Sequence, residues 1–311
     1  MTWKAGVLAS PTGATLQLYE SVPERPRTIV HILHGMAEHA GRYERFADRL
    51  AASGYAAIAH DHRGHGLTEA PDATLGHFAK VDGREAWEIV IADVLAVNEH
   101  IRSRFDRTPI VVFGHSMGAI AALTYALAHS GTVEGAAVWN IEIAKSPALT
   151  AFRALLRVER MFKGSDVPSA LADKLTFQTW NHEFAPNRTD FDWLSRDQAE
   201  VDAYVADPLC GFEMSVGAWR AVLSGVAFCA ARESLEGLPR DRSVHLLGGT
   251  ADPCSAHGKA MEKLARRMEE IGMLDVTLVL NEGARHETLN EIDRDATMDG
   301  FIAWLDERFG G

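Results

Sequence analysis

Cysteine is scarce. The chain of 311 residues holds three, Cys210, Cys229 and Cys254, irregularly spaced and with no C-x-x-C pair. That argues against a disulfide framework and against a structural zinc knuckle. Long hydrophobic runs are missing as well. The longest in the middle of the chain, 117–128, is too short to span a bilayer even when Gly118, Thr124 and Tyr125 are counted as compatible. Met1-Thr2-Trp3-Lys4-Ala5-Gly6 has no basic stretch followed by an apolar core, so a cytoplasmic protein is expected. Positive charge is in deficit: 31 Lys and Arg face 43 Asp and Glu, a formal net charge of -12. Nucleic acid and strongly anionic membrane surfaces repel such a chain at long range, so no nucleic-acid partner and no stable membrane insertion are expected. Internal repeats and low-complexity tracts are absent.

What is present alternates. Segments 28–33, 55–59, 110–113, 135–139, 243–247 and 276–280 are short runs of β-branched and aliphatic residues ending near Gly, Asn or His. Continuous apolar runs of this length fit strands of a parallel sheet covered on both faces. Segment 15–19 alternates more strictly and fits an antiparallel edge strand. Between the strands, segments 42–52, 84–105, 117–128, 258–271 and 293–308 carry apolar residues three and four apart, as amphipathic helices do. Strand–helix alternation predicts an α/β fold with a doubly wound sheet. Segment 141–231 breaks it, with helical patches around an aromatic-rich stretch containing Phe177, Trp180, Phe184, Phe191, Trp193 and Tyr204. The expected organisation is a core formed by 1–140 and 232–311, with 141–231 as a helical cap insertion.

Gly114-His115-Ser116-Met117-Gly118 lies where a strand hands over to a helix. A G-x-S-x-G sequence there places the serine on a strained elbow, with small flanking residues that let neighbouring backbone pass. A serine hydroxyl needs a base, and the base needs orienting. In chain order Ser, acid, His, the candidates are Asp252, in the loop after strand 243–247, and His286, in the loop after strand 276–280. His245, His257, Asp207, Asp241 and Asp275 sit in a strand, at a helix start, in the insertion or at the far sheet edge, and fit less well. Oxyanion-stabilising backbone N–H groups are expected from Met117 and from Met36, which follows the strand end at His34-Gly35. His60-Asp61-His62-Arg63-Gly64-His65-Gly66 does not have the helical spacing of a metal-binding H-E-x-x-H, and is expected to tie down a loop by hydrogen bonds. No metal site is assigned. Cys254 reads as a small buried hydrophobe.

Several blocks resemble the monoacylglycerol lipase and bacterial lysophospholipase group, often placed under the serine aminopeptidase S33 label. They are His34-Gly35-Met36-Ala37-Glu38-His39, Gly41-Arg42-Tyr43, the 60–66 block, the Ser116 elbow, Gly249-Thr250-Ala251-Asp252-Pro253 and Gly283-Ala284-Arg285-His286-Glu287. The resemblance covers 33–128 and 243 to the end. It implies the α/β-hydrolase fold, a mostly parallel eight-stranded sheet with helices on both faces and a cap. It also implies hydrolysis of an ester of a single-chain lipid or similar small acyl compound, without a cofactor.

Two departures stand out. Ala119 replaces a usual glycine, and Trp139-Asn140-Ile141-Glu142 follows a core strand where the group carries small residues such as Ser and Pro. Trp139 and Glu142, with His115 beside the serine, are therefore candidates for shaping the substrate pocket. The expected activity is that of a serine esterase, a lysophospholipase or monoacylglycerol lipase. The alternatives are a small-ester carboxylesterase, an aminopeptidase or amide hydrolase in which Glu142 or Glu213 holds the substrate ammonium, and a non-catalytic ligand-binding relative. Fold relatives with an aspartate nucleophile are disfavoured by Ser116.

Overall fold

The computed structural model describes residues 3–81 and 83–310; Met1, Thr2 and Gly311, the outer ends of the expected core segments, lie outside them. Eight strands form one sheet in the order β1-β2-β4-β3-β5-β6-β7-β8. They are β1 (Lys4–Ala9), β2 (Thr15–Ser21), β3 (Ile29–Leu33), β4 (Ala56–His60), β5 (Ile110–His115), β6 (Gly135–Trp139), β7 (Ser243–Gly249) and β8 (Asp275–Asn281). From β4 across to β8 all neighbours pair in parallel, whereas β2 runs antiparallel to both β1 and β4. The helices are α1 (Glu44–Ala52), α2 (Arg84–Arg104), α3 (Met117–Ala128), α4 (Pro147–Lys163), α5 (Ala170–Leu175), α6 (Phe177–His182), α7 (Gln198–Ala206), α8 (Val216–Cys229), α9 (Arg232–Leu235), α10 (Lys259–Glu270) and α11 (Arg294–Phe309). This is the α/β-hydrolase fold.

Strand alternation splits the core in two. On β3, Ile29 and Leu33 point to the face covered by α2, α3, α8 and α10, and Val30 and Ile32 to the face covered by α1 and α11. The central strands β3 to β7 are buried along their whole length, which is why they read as unbroken apolar runs.

Both sheet edges differ from the expectation. Segment 15–19 is not an edge, because β1 pairs outside it; Lys4-Ala5-Gly6-Val7-Leu8-Ala9 is mostly exposed and carries no burial pattern to betray a strand. At the other end, β8 was expected to be covered on both faces and is instead a partly exposed edge strand, with Leu278 and Leu280 reaching solvent.

Within 141–231, α8 packs against α2 and α3. A Cβ on Gly225 would sit 2.4 Å from the Trp87 ring, so only glycine admits this approach. Helices α4 to α7 and their connections stand over the carboxyl ends of the strands, where the cavity described below opens.

Candidate active site

Ser116 sits between β5 and α3 with φ 55° and ψ −120°, a strained conformation for a residue with a side chain. The flanking glycines explain how the elbow closes. A Cβ on Gly114 would lie 2.0 Å from the Gly118 carbonyl oxygen, and one on Gly118 would lie 2.0 Å from that of Leu33. The Ser116 N–H donates to the Trp139 carbonyl at 3.0 Å, pinning the elbow to the end of β6.

Met117 begins α3, so its N–H has no carbonyl one turn back. Met36 lies in the loop after β3. Among the described residues neither N–H finds a protein acceptor, and both residues line the cavity that Ser116 lines.

The acid and the histidine come together. His286 Nδ1 donates to Asp252 Oδ1 at 3.0 Å, and both side chains are buried. Burial alone would push the Asp252 carboxyl up; the adjacent His286, helped by Ser255 and Asn140, outweighs it and holds the group below its ordinary value. The Cys254 N–H donates to Asp252 Oδ1 at 3.0 Å, and Asn140 Nδ2 donates to Asp252 Oδ2 at 3.3 Å. Asn140 is itself held by Thr288, whose hydroxyl donates to Asn140 Oδ1 at 3.1 Å. Sequence reasoning saw Asn140 only as part of a departure. The signal available was a short polar residue directly after a buried strand, and it adopts φ 56°, where asparagine is better tolerated than most residues.

The aromatic stretch of 141–231 closes over the histidine. The rings of Trp193 and His286 are 4.7 Å apart and those of Trp180 and His286 6.4 Å. Backbone N–H groups of His286 and Glu287 donate to the Trp193 and Leu194 carbonyls at 3.4 and 2.7 Å, so this stretch also fixes the histidine loop.

The pocket candidates separate. Glu142 lines the large cavity and is solvent-exposed at its wall. Trp139 does not line it. As the last residue of β6 it points to the α1–α11 face, buried among Phe46, Phe113 and Phe301, and its indole donates to His245 Nδ1 at 3.0 Å. His115 lines the smaller cavity described below, together with Ser116. Its Nε2–H donates to the His286 carbonyl at 2.9 Å, and its Nδ1 is 3.7 Å from Glu38.

That carboxylate belongs to a buried group absent from the expectation. Arg42 bridges Glu38 at 2.6 Å and Glu287 at 2.6 and 2.7 Å, while Glu38 also accepts from the Gly35 N–H at 2.5 Å and the Tyr43 hydroxyl at 2.9 Å. Arg42 thereby ties the loop carrying Met36 to the loop carrying His286. Burial would raise the Glu38 carboxyl; Arg42 and His115 outweigh that and hold it well below the ordinary range. The 60–66 block ties loops in a similar way. Asp61 accepts from the Ala40 and Leu67 N–H groups at 2.8 Å each, and Arg63 donates to Asp93 at 2.7 Å. His62 and His65 lie against the His34 ring in tilted contacts, with centroids 4.5 and 5.2 Å away.

Two cavities meet at Ser116. The larger, about 480 Å³, is walled mainly by apolar side chains from α3, α4, α6 and α8, among them Ile120, Leu149, Phe152, Trp180 and Val222. The smaller, about 50 Å³, is more polar and adds His286, Glu213 and Asp173. Among the described residues no helix is long and apolar enough to cross a membrane.

Residues 24–293 match the family described as serine aminopeptidase, S33. The chain belongs to that family. It is similar to a monoacylglycerol lipase of Mycolicibacterium smegmatis, 28% identical over 290 residues that cover 90% of this chain and 88% of that protein. Similarity to the human monoglyceride lipase is 28% over 277 residues, covering 86% and 78%. Among solved structures, a lipase in an open form superposes with a TM-score of 0.85 at 25% identity over the whole of both chains. A thermostable carboxyl esterase from Bacillus coagulans, bound to glycerol, gives 0.89 at 21% identity over 99% of each. These matches place the S33 chain in the monoacylglycerol lipase group of α/β-hydrolases, as a hydrolase.

Proposed function

We propose that this S33-family hydrolase cleaves carboxylic esters of single-chain lipids, monoacylglycerols or lysophospholipids, through Ser116, His286 and Asp252. The observation that carries the substrate class is the apolar cavity of about 480 Å³ ending at Ser116, within the size range of small-molecule sites. The smaller polar cavity on the other side of Ser116 suits the alcohol portion. In this reading 141–231 is a cap that supplies the acyl pocket, with Glu142 at its wall.

His286 takes the Ser116 proton as the oxygen attacks the ester carbonyl, and Asp252 stabilises the imidazolium. The Met36 and Met117 N–H groups receive the developing oxyanion. Collapse of the tetrahedral intermediate breaks the ester C–O bond, and the proton passes from His286 to the departing alcohol. A water, deprotonated by the same histidine, then releases the acid and restores the serine. No cofactor enters any step.

The test is a panel of monoacylglycerols, lysophospholipids and short p-nitrophenyl esters. Long single-chain substrates should give the highest kcat/KM, and Ser116→Ala should abolish both turnover and labelling by a fluorophosphonate. Preference for short esters would move the assignment to a small-ester carboxylesterase; undiminished labelling of Ser116→Ala would sink the nucleophile. A second reading, an aminopeptidase, draws on Glu213 and Asp173 in the small cavity, where a carboxylate could hold a substrate ammonium. Faster turnover of aminoacyl anilides than of acyl esters would favour it.

A further inference from the structure

We propose that His39, Asp207 and Cys210 form a zinc site that fastens the cap to the loop carrying Met36. Three different donor atoms meet here. The His39 ring nitrogen, an Asp207 carboxylate oxygen and the Cys210 sulfur all lie within 4.8 Å of one another, half-buried. His39 comes from the core, in extended backbone just before the short helical turn Ala40–Tyr43. Asp207 and Cys210 come from the cap, three residues apart on one tight turn closed by the Cys210 N–H donating to the Asp207 carbonyl at 3.0 Å. Within that turn the Leu209 N–H occupies Asp207 Oδ1 at 2.8 Å, which aims Oδ2 at His39 Nε2, 2.9 Å away.

An imidazole–carboxylate pair would account for two of these groups, but not for a thiol presented to both. Imidazole, carboxylate and thiolate together are a zinc donor set, with a fourth position left for water. The thiolate disfavours magnesium and calcium, which take oxygen ligands. The ligand-bearing turn is already seated. The Gly211 N–H and the Tyr204 hydroxyl both donate to the Ala37 carbonyl, at 2.9 and 2.8 Å, one residue from Met36.

Binding replaces hydrogens with metal and leaves the charges accounted for. The Cys210 thiol gives its proton to solvent. The proton that His39 Nε2 shares with Asp207 moves to Nδ1, freeing the Nε2 lone pair for the metal.

The experiment titrates the full-length protein, freed of metal by chelator, with Zn²⁺ by calorimetry and with Co²⁺ by absorption. One equivalent should bind, and Co²⁺ should give a thiolate charge-transfer band with tetrahedral d–d bands. Cys210→Ser should lose that band, and it and His39→Gln should each weaken Zn²⁺ binding at least about tenfold. Zinc should raise the thermal midpoint of the wild type and leave that of Cys210→Ser unmoved. The proposal is overturned if the wild type shows no thiolate band, or if Cys210→Ser and His39→Gln, folded by circular dichroism, bind Zn²⁺ as the wild type does.

Discussion

Asn140 serves two neighbours at once. Its amide hydrogens reach Asp252, and its oxygen is held by Thr288 on the histidine loop. In the proposed mechanism Asp252 stabilises the positive charge developing on His286, so a donor on its far oxygen fixes which way that carboxylate faces. Asn140→Ala should therefore lower kcat about tenfold or more, the scale of one hydrogen bond to a charged group, with KM little changed. A kcat equal to the wild type would mean that Asn140 merely shapes the turn after β6. How far such residues can be read in advance depends on what marks them. The Ser116 elbow is legible because its glycines are demanded by local backbone geometry, and Asp252 and His286 because each follows a strand. Asn140 and Glu287 act through partners far away in the chain, and nothing local announces that. Trp139 was misplaced as a pocket residue although its strand, 135–139, was read correctly: β6 is buried on both faces, so its sequence does not say which face the last residue takes.

At the scale of elements, α4 turns two apolar faces outward from its axis. One, with Leu149 and Phe152, lines the cavity. On the other, Val158 and Phe162 fall four residues apart, joined by Met161. Met161 and Phe162 are 77% and 84% exposed. Arg153, Arg157, Arg160 and Lys163 lie on the same helix. If the substrate is the single-chain lipid proposed above, an apolar strip with basic neighbours on a helix that lines the cavity suits transient docking on a lipid surface, without a spanning segment. Met161→Glu with Phe162→Glu should lower turnover of substrate presented in vesicles or micelles about 100-fold or more, the worth of two such side chains leaving an apolar phase. Turnover of a water-soluble short ester should stay at the wild-type level. Equal losses on both substrates would show that α4 matters to the cavity and not to the lipid surface. The elements themselves were legible where burial gave them a period. β1 and the exposed β8 were missed or misjudged because edge strands lack the two-sided burial that made β3 to β7 plain.

For the whole molecule, the unusual commitment is to neutral histidine in the interior. His31, His34, His60, His62 and His65 are buried beneath the loops of the site, and His245 lies under Trp139. Among the described residues both ring nitrogens of His62 lack a hydrogen-bond partner. Burial pushes all six down: His31, His34 and His245 to about 3, His65 to about 4, and His60 and His62 well below the ordinary 6.5. A base with a depressed folded-state pKa binds its proton more readily when the chain is unfolded. The stability these groups allow is therefore complete above about pH 6.5 and drains as pH falls from there toward the folded values. Each costs ~1.4 kcal/mol per pH unit in that window. Six such groups acting together would exhaust a typical stability of ~5–15 kcal/mol within one to two units. The protein should accordingly unfold in acid with a midpoint near about pH 5, above the range in which the carboxylates take up protons. Tryptophan fluorescence and near-ultraviolet circular dichroism against pH will locate that midpoint, and His62→Leu should move it downward. A midpoint below about pH 4, unaltered by that substitution, would assign acid unfolding to the carboxylates and not to the buried imidazoles.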